Sequence, residues 1–290
     1  MENYVDCPEL VSFDGSLELS ARTTVADSLL DKKDAKKRLK KEVEHLGKLQ
    51  RKLYADDRYS VLCVFQAMDA AGKDGTIRAV FSGVNPAGCQ VSSYKAPSKE
   101  ELDHDFLWRT ACDLPERGRI GIFNRSYYEE VLVVRVHPEF LGGQRLPHRP
   151  AGDAIWTERL RSIRDHERHL AQNGTVILKF FLNVSLDEQK NRFLARINDP
   201  NKRWKFNGRD VEERAHWPAY MRAYEQAMRS TSAPWAPWYV IPADDKPNMR
   251  LRVADILGKT LRNLDIAYPT YDQANLAELA EYERRLNSGG

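Results

Sequence analysis

Short runs of consecutive apolar residues recur along the chain, each bounded by polar or turn-forming residues. They occupy residues 61–66 (VLCVFQ), 120–123 (IGIF), 176–184 (VILKFFLNV) and 238–241 (WYVI), and a weaker run covers 89–94. Continuous apolar runs without polar alternation are typical of strands that are buried on both faces of a parallel sheet. The pattern therefore predicts four buried strands and a weaker fifth.

A helical pattern of apolar residues precedes the first run. Steps of four, three, three and four residues separate the members of one apolar stripe, which are Leu39, Val43, Leu46, Leu49 and Leu53. This spacing predicts an amphipathic helix over 31–56 that packs on the core. Residues 31–53 also contain ten Lys or Arg against four Asp or Glu, which indicates either a polyanion-binding surface or a solvated helix face.

Helical patterns also lie between the apolar runs. They predict helices over 98–114, over 153–174 with Gly174 as the stop, and over 185–197. Ser185 with Glu188 predicts a capping box at the start of the last of these, and Asp210 with Glu213 predicts another before a helix that reaches about 229.

Alternation of strands and helices predicts an α/β fold in which helices sandwich a parallel sheet. Ligands of such folds bind beyond the carboxyl ends of the strands. We expect an N-terminal extension over 1–30, the helix over 31–56, one domain over 57–270 and a tail over 271–290. The basic segment 198–210 interrupts the alternation, so we interpret residues 198–230 as a basic helical lid.

Composition excludes several classes of protein. Of the 290 residues, 42% are hydrophobic and 30% are charged, which is an ordinary globular profile. No apolar stretch is long enough to cross a membrane, and the first residues do not form a signal peptide. We therefore predict that the protein does not bind membranes. The four cysteines show no metal-binding spacing, so we also predict a reduced, cytoplasmic protein.

The segment 67–81 (AMDAAGKDGTIRAVF) follows the first predicted strand and leads into a helix. A glycine-containing loop before a helix presents backbone N–H groups and the positive end of the helix dipole to a phosphate. Lys73 would add a charge on the terminal phosphates. The loop departs from the GxxxxGK[ST] pattern at Ala67 and Asp74, and an ordinary strand-to-helix turn is the alternative. The predicted phosphate contacts in this loop are Ala70, Ala71, Gly72, Lys73, Asp74, Gly75 and Thr76.

Acidic and polar residues accompany this loop. A carboxylate inside a phosphate-binding loop needs a cation beside it, so we interpret Asp69 as a magnesium ligand or an orienting base, and otherwise as a turn former. Asn124 ends the second long strand, at a place where phosphotransferases often carry a metal-binding aspartate. Asn124 is therefore a second predicted metal ligand, and Asp69 and Glu129 supply the negative charge. Arg125 is predicted to stabilise charge on a transferring phosphoryl group, with a structural ion pair as the alternative.

Five motifs together resemble the type-2 polyphosphate kinases. They are AMDAAGKDGTIR, HDFLWR, NRSYYEEVLVVRVHPE, QKNRFLARINDPNKRWKF and PWAPWYVIPADDKPNMR, in the order and spacing of that family over about residues 30–265. The resemblance implies a thymidylate-kinase-like P-loop fold, Mg²⁺ as cofactor with Mn²⁺ as a substitute, and inorganic polyphosphate as a substrate. It also implies nucleoside mono- or diphosphates as the other substrate and a homodimer or homotetramer.

The family pattern assigns roles to individual positions. Asp69 and Lys73 match its loop aspartate and lysine, and Arg125 matches the arginine after its second strand. Asn124 and Ala67 depart from the Asp and Gly of many members, and Asn124 with Glu129 is similar to the subgroup that accepts both AMP-level and ADP-level nucleotides.

A donor made only of phosphates needs a track of cations. The residues predicted to line it are Arg78, Lys179, Arg192, Lys202, Arg203 and Lys205. Lys179 lies inside an apolar strand, where a charge is costly unless it is paired or faces a site, so a buried ion pair is its alternative.

Two other functions share part of this pattern. An ATP-dependent P-loop nucleotide kinase has the same fold and loop but needs a pocket for the donor base. A non-catalytic polyanion or nucleic-acid binder would use Trp204 and Phe206 among basic residues for stacking, yet it does not need Asp69 beside a phosphate. We therefore predict a polyphosphate-dependent nucleotide phosphotransferase that does not bind nucleic acid.

Overall fold

A five-stranded parallel sheet forms the centre of the computed structural model, which describes residues 4–26 and 29–288. The strands lie in the order β2-β3-β1-β4-β5. Their bounds are β1 Ser60–Gln66, β2 Cys89–Ser93, β3 Ile120–Asn124, β4 Thr175–Asn183 and β5 Trp238–Pro242. All five predicted strands are present, and β1, β3 and β4 are almost entirely buried.

Helices cover both faces of the sheet, and one large apolar core unites the strands with them. Their bounds are α1 Lys32–Asp56, α2 Lys73–Val80, α3 Lys99–Leu102, α4 Trp108–Ala111, α5 Val133–Val136, α6 Ala154–Gln172, α7 Leu186–Asn198, α8 Gly208–Glu213, α9 Trp217–Thr231, α10 Lys246–Asn263 and α11 Gln273–Asn287. The predicted α/β fold with a helix-sandwiched parallel sheet is confirmed.

Two predicted helices have different bounds in the structure, and local side-chain hydrogen bonds explain both differences. The single helix predicted over 98–114 is two separate turns, α3 and α4, because the Asp105 carboxylate accepts a bond from the Leu107 backbone and forms a turn between them. The helix predicted after Asp210 instead begins at Gly208, where Asn207 accepts from the backbone of Arg209. A 3₁₀ turn over Arg214–His216 then separates α8 from α9.

Only half of the predicted capping box on α7 forms. The Ser185 hydroxyl accepts from the backbone N–H of Glu188 at 3.1 Å. The Glu188 carboxylate binds the Arg192 side chain at 2.7 Å instead of returning to the cap. The prediction for α6 is confirmed, since that helix ends at Gln172 and Gly174 adopts a φ of 92°.

The basic helix α1 packs along α10 through the predicted apolar stripe. Val43, Leu46 and Leu53 are buried, and Leu39 and Leu49 pack against the same core. All ten Lys and Arg residues of 31–53 are exposed. The solvated-face interpretation of this charge run therefore agrees with the structure.

The N-terminal segment covers the open edge of β5. The backbone N–H of Val11 donates to the carbonyl of Trp238, and that of Val240 donates to Glu9, in an antiparallel bridge. This pairing satisfies backbone groups that an edge strand leaves open. No helix within the described residues combines the length and the apolar composition that a bilayer crossing needs.

Gly47 lets α1 approach the turn that follows α2. A Cβ at position 47 would lie 2.6 Å from the backbone oxygen of Gly83. A contact of this length with a backbone atom cannot be relieved by a side-chain rotation. The close packing of α1 therefore depends on this glycine.

We expect Gly47→Ala to lower the free energy of unfolding by about 1 to 3 kcal/mol. Alanine favours a helix by about 1 kcal/mol over glycine, but the backbone clash outweighs that gain. Gly208→Ala is the control, because a Cβ there has no neighbour within 4 Å. Chemical denaturation of both variants measures the difference, and equal stabilities would show that α1 does not pack as described.

Candidate active site

The loop after β1 turns sharply into α2. Ala70 has a φ of 62° and Gly72 a φ of 111°, so two residues in the left-handed region bend the chain over a few positions. Left-handed backbone is costly for a residue with a Cβ, and such strain in native structures clusters at functional sites. The first helical bond of α2 runs from the N–H of Thr76 to the carbonyl of Gly72 at 3.0 Å. The N–H groups of Lys73, Asp74 and Gly75 precede it and form the positive end of the helix.

Lys73 folds back over this loop. Its Nζ donates to the carbonyl of Ala67 at 2.7 Å, at the position where the family pattern usually has glycine. Burial, and then the neighbouring Arg125, lower the pKa of Lys73 to about 8. The amine therefore carries its charge at neutral pH but loses it far earlier than an ordinary lysine does.

Two predicted phosphate contacts in the loop are wrong. Thr76 is fully buried, and both its N–H and its hydroxyl donate to the Gly72 carbonyl. The backbone N–H of Ala71 donates to Met68, and Ala71 is also buried. These groups hold the loop in shape. The predicted contacts through Ala70, Gly72, Lys73, Asp74 and Gly75 stay predictions.

Arg192 holds the loop through hydrogen bonds to its backbone carbonyl groups. Its Nη1 donates to the carbonyls of Ala70 and Ala71 at 3.1 and 2.6 Å. Its Nη2 donates to those of Ala243 and Asp244 at 2.6 and 3.1 Å, and Nε donates to Glu188. All five N–H groups of this buried guanidinium are thus used within the protein. The prediction that Arg192 lines an open phosphate track is wrong, because the arginine is a positioning residue.

A second contact joins the loop to the lid. The side-chain nitrogen of Gln189 donates to the backbone oxygen of Asp69 at 3.0 Å. The Gln189 oxygen accepts from Arg214, which lies in the predicted lid, at 2.8 Å. Neither Gln189 nor Arg214 is among the site residues predicted from the sequence, although Gln189 begins the fourth motif and Arg214 lies shortly after it. Their side-chain partners come from distant segments, so no local pattern identified them.

Arg125 lies between two carboxylates. Its Nη2 is 2.9 Å from Asp69 and its Nη1 is 3.3 Å from Glu129. These neighbours, Glu129 foremost, raise the arginine's pKa above its ordinary value, so the guanidinium stays charged. Arg125 has a φ of 66°, and its N–H donates to the carbonyl of Phe65 at 3.0 Å. The backbone bond holds this strained residue at the carboxyl ends of β1 and β3, facing the loop.

Asn124 and Asp74 meet beside the loop. The Asn124 Nδ2 donates to Asp74 Oδ1 at 2.8 Å, which leaves the amide oxygen of Asn124 and the second oxygen of Asp74 as acceptors. No group of three metal-binding His, Cys, Asp or Glu side chains occurs in the part of the chain that the structure describes. Mg²⁺ needs few protein ligands, because one or two carboxylates with waters and substrate phosphates complete its octahedron. The oxygen donors of Asp69, Asp74 and Asn124 therefore fit a divalent metal shared with a phosphate substrate.

Lys179 does not reach the active site. It is fully buried, and its Nζ donates to Glu167 at 2.6 Å, to the Tyr128 hydroxyl at 3.0 Å and to the Thr231 carbonyl at 2.8 Å. The predicted role of Lys179 in a phosphate track is therefore wrong, and the alternative, a buried ion pair, is confirmed. Tyr127 also donates to Glu167, so this network fixes the segment that follows Arg125.

A cluster of cations lies on the β5 side of the loop. A Cβ on Gly75 would lie 3.0 Å from Nη2 of Arg250, so this guanidinium covers the first turn of α2. Burial and then Arg78 lower the pKa of Arg250, and burial and then Arg192 lower that of Lys246. The Nε of Arg250 is buried without a hydrogen-bond partner among the described residues. Lys246 and Arg250 were missed as site residues, although both stand in the last quoted motif.

The predicted lid is largely exposed around its basic residues. Lys202 pairs with Asp199 at 2.6 Å, Arg203 donates to the carbonyl of Ile197, and the Lys205 amine lies 4.9 Å from the centre of the Trp204 ring. Asp210, which the sequence suggested only as a helix cap, lies close enough to the site for Asp69 to help burial raise its pKa.

A cavity of about 540 Å³ opens on the β2–β3 side of the loop. Arg125 and Glu129 form part of its wall. Away from them the wall contains Lys95, Arg109 and Phe106, and Arg109 lies over the Tyr94 ring. Charged side chains and the Phe106 ring therefore share the wall of this cavity, a mixture that suits a small polar ligand with an aromatic part.

A phosphate-binding loop follows the central strand of a parallel sheet, and an arginine fixed by two carboxylates lies opposite it. This is the arrangement of the P-loop phosphotransferases. Comparison with known proteins defines the family further. The model of the family described as Polyphosphate kinase 2 matches residues 29–269, and the chain belongs to that family. The predicted family and the predicted enzyme class are thus confirmed, together with the P-loop kinase-like fold.

Several named proteins are similar to this chain over most of its length. An ADP-polyphosphate phosphotransferase of Rhodopseudomonas palustris is 55% identical over 86% of each chain. An AMP/ADP-polyphosphate phosphotransferase of Meiothermus ruber is 49% identical over 79% of this chain and 82% of its own. The crystal structure of polyphosphate kinase 2 from Arthrobacter aurescens superposes with a TM-score of 0.86 at 37% identity, over 95% of both chains.

We expect Lys73→Ala to lower turnover by about 100-fold or more, as loss of one electrostatic stabiliser does in other enzymes.

The low pKa of Lys73 gives a second prediction. Because the amine is charged below about pH 8 and neutral above it, kcat/KM of the parent enzyme should fall as the pH rises through 8.

Lys73→Arg is the control for the pH effect, since a guanidinium keeps its charge throughout this range. This variant should show a lower rate but no break near pH 8 in steady-state kinetics from pH 6.5 to 9.5. A break of the same size in both enzymes would assign the titration to another group.

Proposed function

We propose that this chain transfers the terminal phosphoryl group of inorganic polyphosphate to a nucleotide, with both ADP and AMP as acceptors and Mg²⁺ as cofactor. Polyphosphate-dependent transfer to a nucleotide follows from the family. The choice of acceptor and metal goes further. The observation that supports this proposal is that the two sides of the phosphate loop differ, with a cavity on the β2–β3 side and a cation cluster on the β5 side.

The cavity on the β2–β3 side suits the acceptor. A nucleotide has an aromatic base and a charged phosphate end, and this cavity offers the Phe106 ring to a base and the Arg125 guanidinium to a phosphate. Its volume of about 540 Å³ is adequate for a nucleoside with its phosphates. The acceptor's terminal phosphate would then reach the loop beside Lys73.

The cation cluster on the β5 side suits the donor. Burial and then Arg78 lower the pKa of Arg250, and burial and then Arg192 lower that of Lys246. Cations crowded in this way are unfavourable without an anion beside them. Polyphosphate supplies one negative charge per phosphate unit and carries no base. A row of cations beyond the loop is therefore sufficient to bind it, and the exposed Lys202, Arg203 and Lys205 would extend the row into the lid.

Reaction requires the two substrates to meet in line above the loop. An oxygen of the acceptor's terminal phosphate attacks the terminal phosphorus of polyphosphate, and the bridging P–O bond breaks to release a chain that is one unit shorter. The loop N–H groups, Lys73 and Arg125 face the negative charge that spreads over the transferred group. The same contacts serve the reverse direction.

Magnesium would be held by Asp69, Asn124 and Asp74 with phosphate oxygens of the substrates, and Mn²⁺ is a suitable substitute because it also prefers oxygen ligands. The metal supplies charge neutralisation between the phosphates and the carboxylates. Asp69 at the same time holds Arg125 at 2.9 Å, so it positions one cation and would bind another.

The names of the relatives support both acceptors. The Rhodopseudomonas relative is named for ADP and the Meiothermus relative for AMP and ADP. An ATP-dependent nucleotide kinase is not favoured, since these relatives are named for polyphosphate. The predicted homodimer or homotetramer, cytoplasmic location and absence of nucleic-acid binding remain predictions.

The purified protein should phosphorylate ADP and AMP when it is given magnesium and polyphosphate, as measured by chromatography of the nucleotides. With ATP in place of polyphosphate, transfer to AMP should be at least tenfold slower. Equal rates with the two donors would favour a nucleotide kinase instead.

Replacing Lys202, Arg203 and Lys205 together by Ala should raise the KM for polyphosphate more than the KM for ADP. The loss should increase with polymer length, because short chains do not reach the whole track, and added salt should partly reproduce it in the parent.

A matched control removes the same charge elsewhere. The variant with Ala at Lys36, Lys37 and Lys40 neutralises three exposed residues of α1 and should keep the parent constants. If both triple variants lose the same affinity at every chain length, the effect is one of overall charge and the lid does not bind the polymer.

A further inference from the structure

The chain segment that precedes the family match reaches the carboxyl ends of β4 and β5. The family model begins at residue 29, and the structure describes residues 4–26 before it, which we call the N-terminal strap. Three of its apolar side chains, Val11, Leu17 and Leu19, are buried in the main core. Their burial explains why the strap adheres to the fold, but not why its last residues make polar contacts.

Those polar contacts lie just beyond the two strands. Asn183, the last residue of β4, donates from Nδ2 to the carbonyls of Arg22 and Thr23, in both cases at 3.2 Å. Thr24 pairs with Asp244, which follows β5. The N–H of Asp244 donates to the Thr24 carbonyl at 3.0 Å, and the Thr24 hydroxyl donates to Oδ2 of Asp244 at 2.8 Å. Thr24 thus binds both the backbone and the side chain of one residue.

Asp244 also contacts the groups that shape the phosphate loop. Its carbonyl accepts from Nη2 of Arg192 at 3.1 Å, and its Oδ1 accepts from the backbone N–H of Ser185 at 2.8 Å, where α7 begins. Arg192 in turn donates to the carbonyls of Ala70 and Ala71. A continuous series of hydrogen bonds therefore connects the strap with the phosphate loop.

The turn that contains Asp244, residues 243–245, leads directly into the cation cluster. Asp245 caps α10 by accepting from the backbone N–H of Asn248 at 2.9 Å, and Lys246 and Arg250 fall within the first five residues of that helix. A shift of this turn would therefore move the carbonyl that Arg192 binds and the start of α10 together. None of the described residues that line the cavity on the β2–β3 side belongs to the strap or to this turn.

We propose that Thr24 and Asp244 are positioning residues for phosphoryl transfer, because the bonds between them fix the turn through which Arg192 holds the phosphate loop. Both residues are partly buried. Without the Thr24 hydroxyl, Oδ2 of Asp244 has no donor among the described residues, and a buried acceptor that loses its partner is unfavourable. The turn would then move toward another partner. A misplacement of about 1 Å far from the reacting atoms can lower a rate by as much as about 100-fold.

The first test removes only the hydroxyl. Thr24→Val keeps the branched shape of threonine, and its kcat with saturating polyphosphate and ADP should fall by about tenfold. Thr24→Ser keeps the donor and should stay within about twofold of the parent. The KM for ADP should change by less than about twofold in both variants, since the cavity is not touched. This last expectation rests on the proposed acceptor side, whereas the effect on kcat does not.

A control variant removes a hydroxyl from another part of the strap. The Ser12 hydroxyl lies within hydrogen-bond distance of Asp14 and Ser16 only, at 2.6 and 3.1 Å, and all three residues belong to the strap. Ser12→Ala should therefore keep the parent kcat. Circular dichroism checks that every variant is folded at the assay temperature.

The second test is a double-mutant cycle with Asp244→Ala. If Thr24 acts through Asp244, adding Thr24→Val to Asp244→Ala should lower kcat by no more than about twofold further, because the contact is already absent. Each rate is divided by that of the parent with the same substrates, so a wrong donor or acceptor would appear in the parent and a wrong positioning role only in the ratios. A parent-like kcat for Thr24→Val, a Thr24→Ser variant as slow as Thr24→Val, or losses that multiply in the double variant would each overturn the proposal.

Discussion

The site depends on one buried guanidinium. Arg192 binds the carbonyls of Ala70 and Ala71 on one side and those of Ala243 and Asp244 on the other. It comes from α7, so a single side chain joins the segments that follow β1, β4 and β5. Burying an arginine costs several kcal/mol unless its donors are satisfied, and here every N–H has a partner. Because a peptide is planar, a carbonyl held toward Arg192 turns the N–H of the next residue the other way, so the Gly72 N–H points away from the arginine and toward the anion side of the loop.

Charge balance then decides what the loop can bind. Asp69 and Glu129 hold Arg125 across from Lys73, so the centre of the site contains nearly equal numbers of fixed positive and negative groups. A phosphate substrate alone would disturb that balance, whereas a phosphate with a divalent metal would keep it. The excess of cations lies to one side, near Lys246 and Arg250. This asymmetry is the basis for proposing a donor side on the cation cluster and an acceptor side at the cavity.

Backbone strain and buried networks keep these groups in place. Arg125 and Ala70 occupy the left-handed region, which persists only when surrounding contacts over-determine it. For Arg125 those contacts are the backbone bond to Phe65 and the network of Tyr127, Tyr128, Glu167 and Lys179 just beyond it. The side chains of the candidate site are therefore held in place by the fold itself, as electrostatic catalysis requires of the groups that perform it.

Periodicity, glycine positions and motif order were sufficient to predict the five strands, the loop between β1 and α2, and α1, because these signals act between residues that are close in the chain. They also placed Asp69, Lys73 and Arg125 at one site, where the structure has them together. Lys179 and Arg192 were wrongly predicted to bind phosphate, whereas Lys246 and Arg250 were not predicted as site residues. No local sequence pattern distinguishes the first two residues from the last two. Whether a cation pairs with Glu167, binds loop carbonyls or, like Nε of Arg250, has no hydrogen-bond partner among the described residues depends on side chains that lie far away in the chain. Tertiary packing alone decides that, since the cost of burying a charge is set by its neighbours in space.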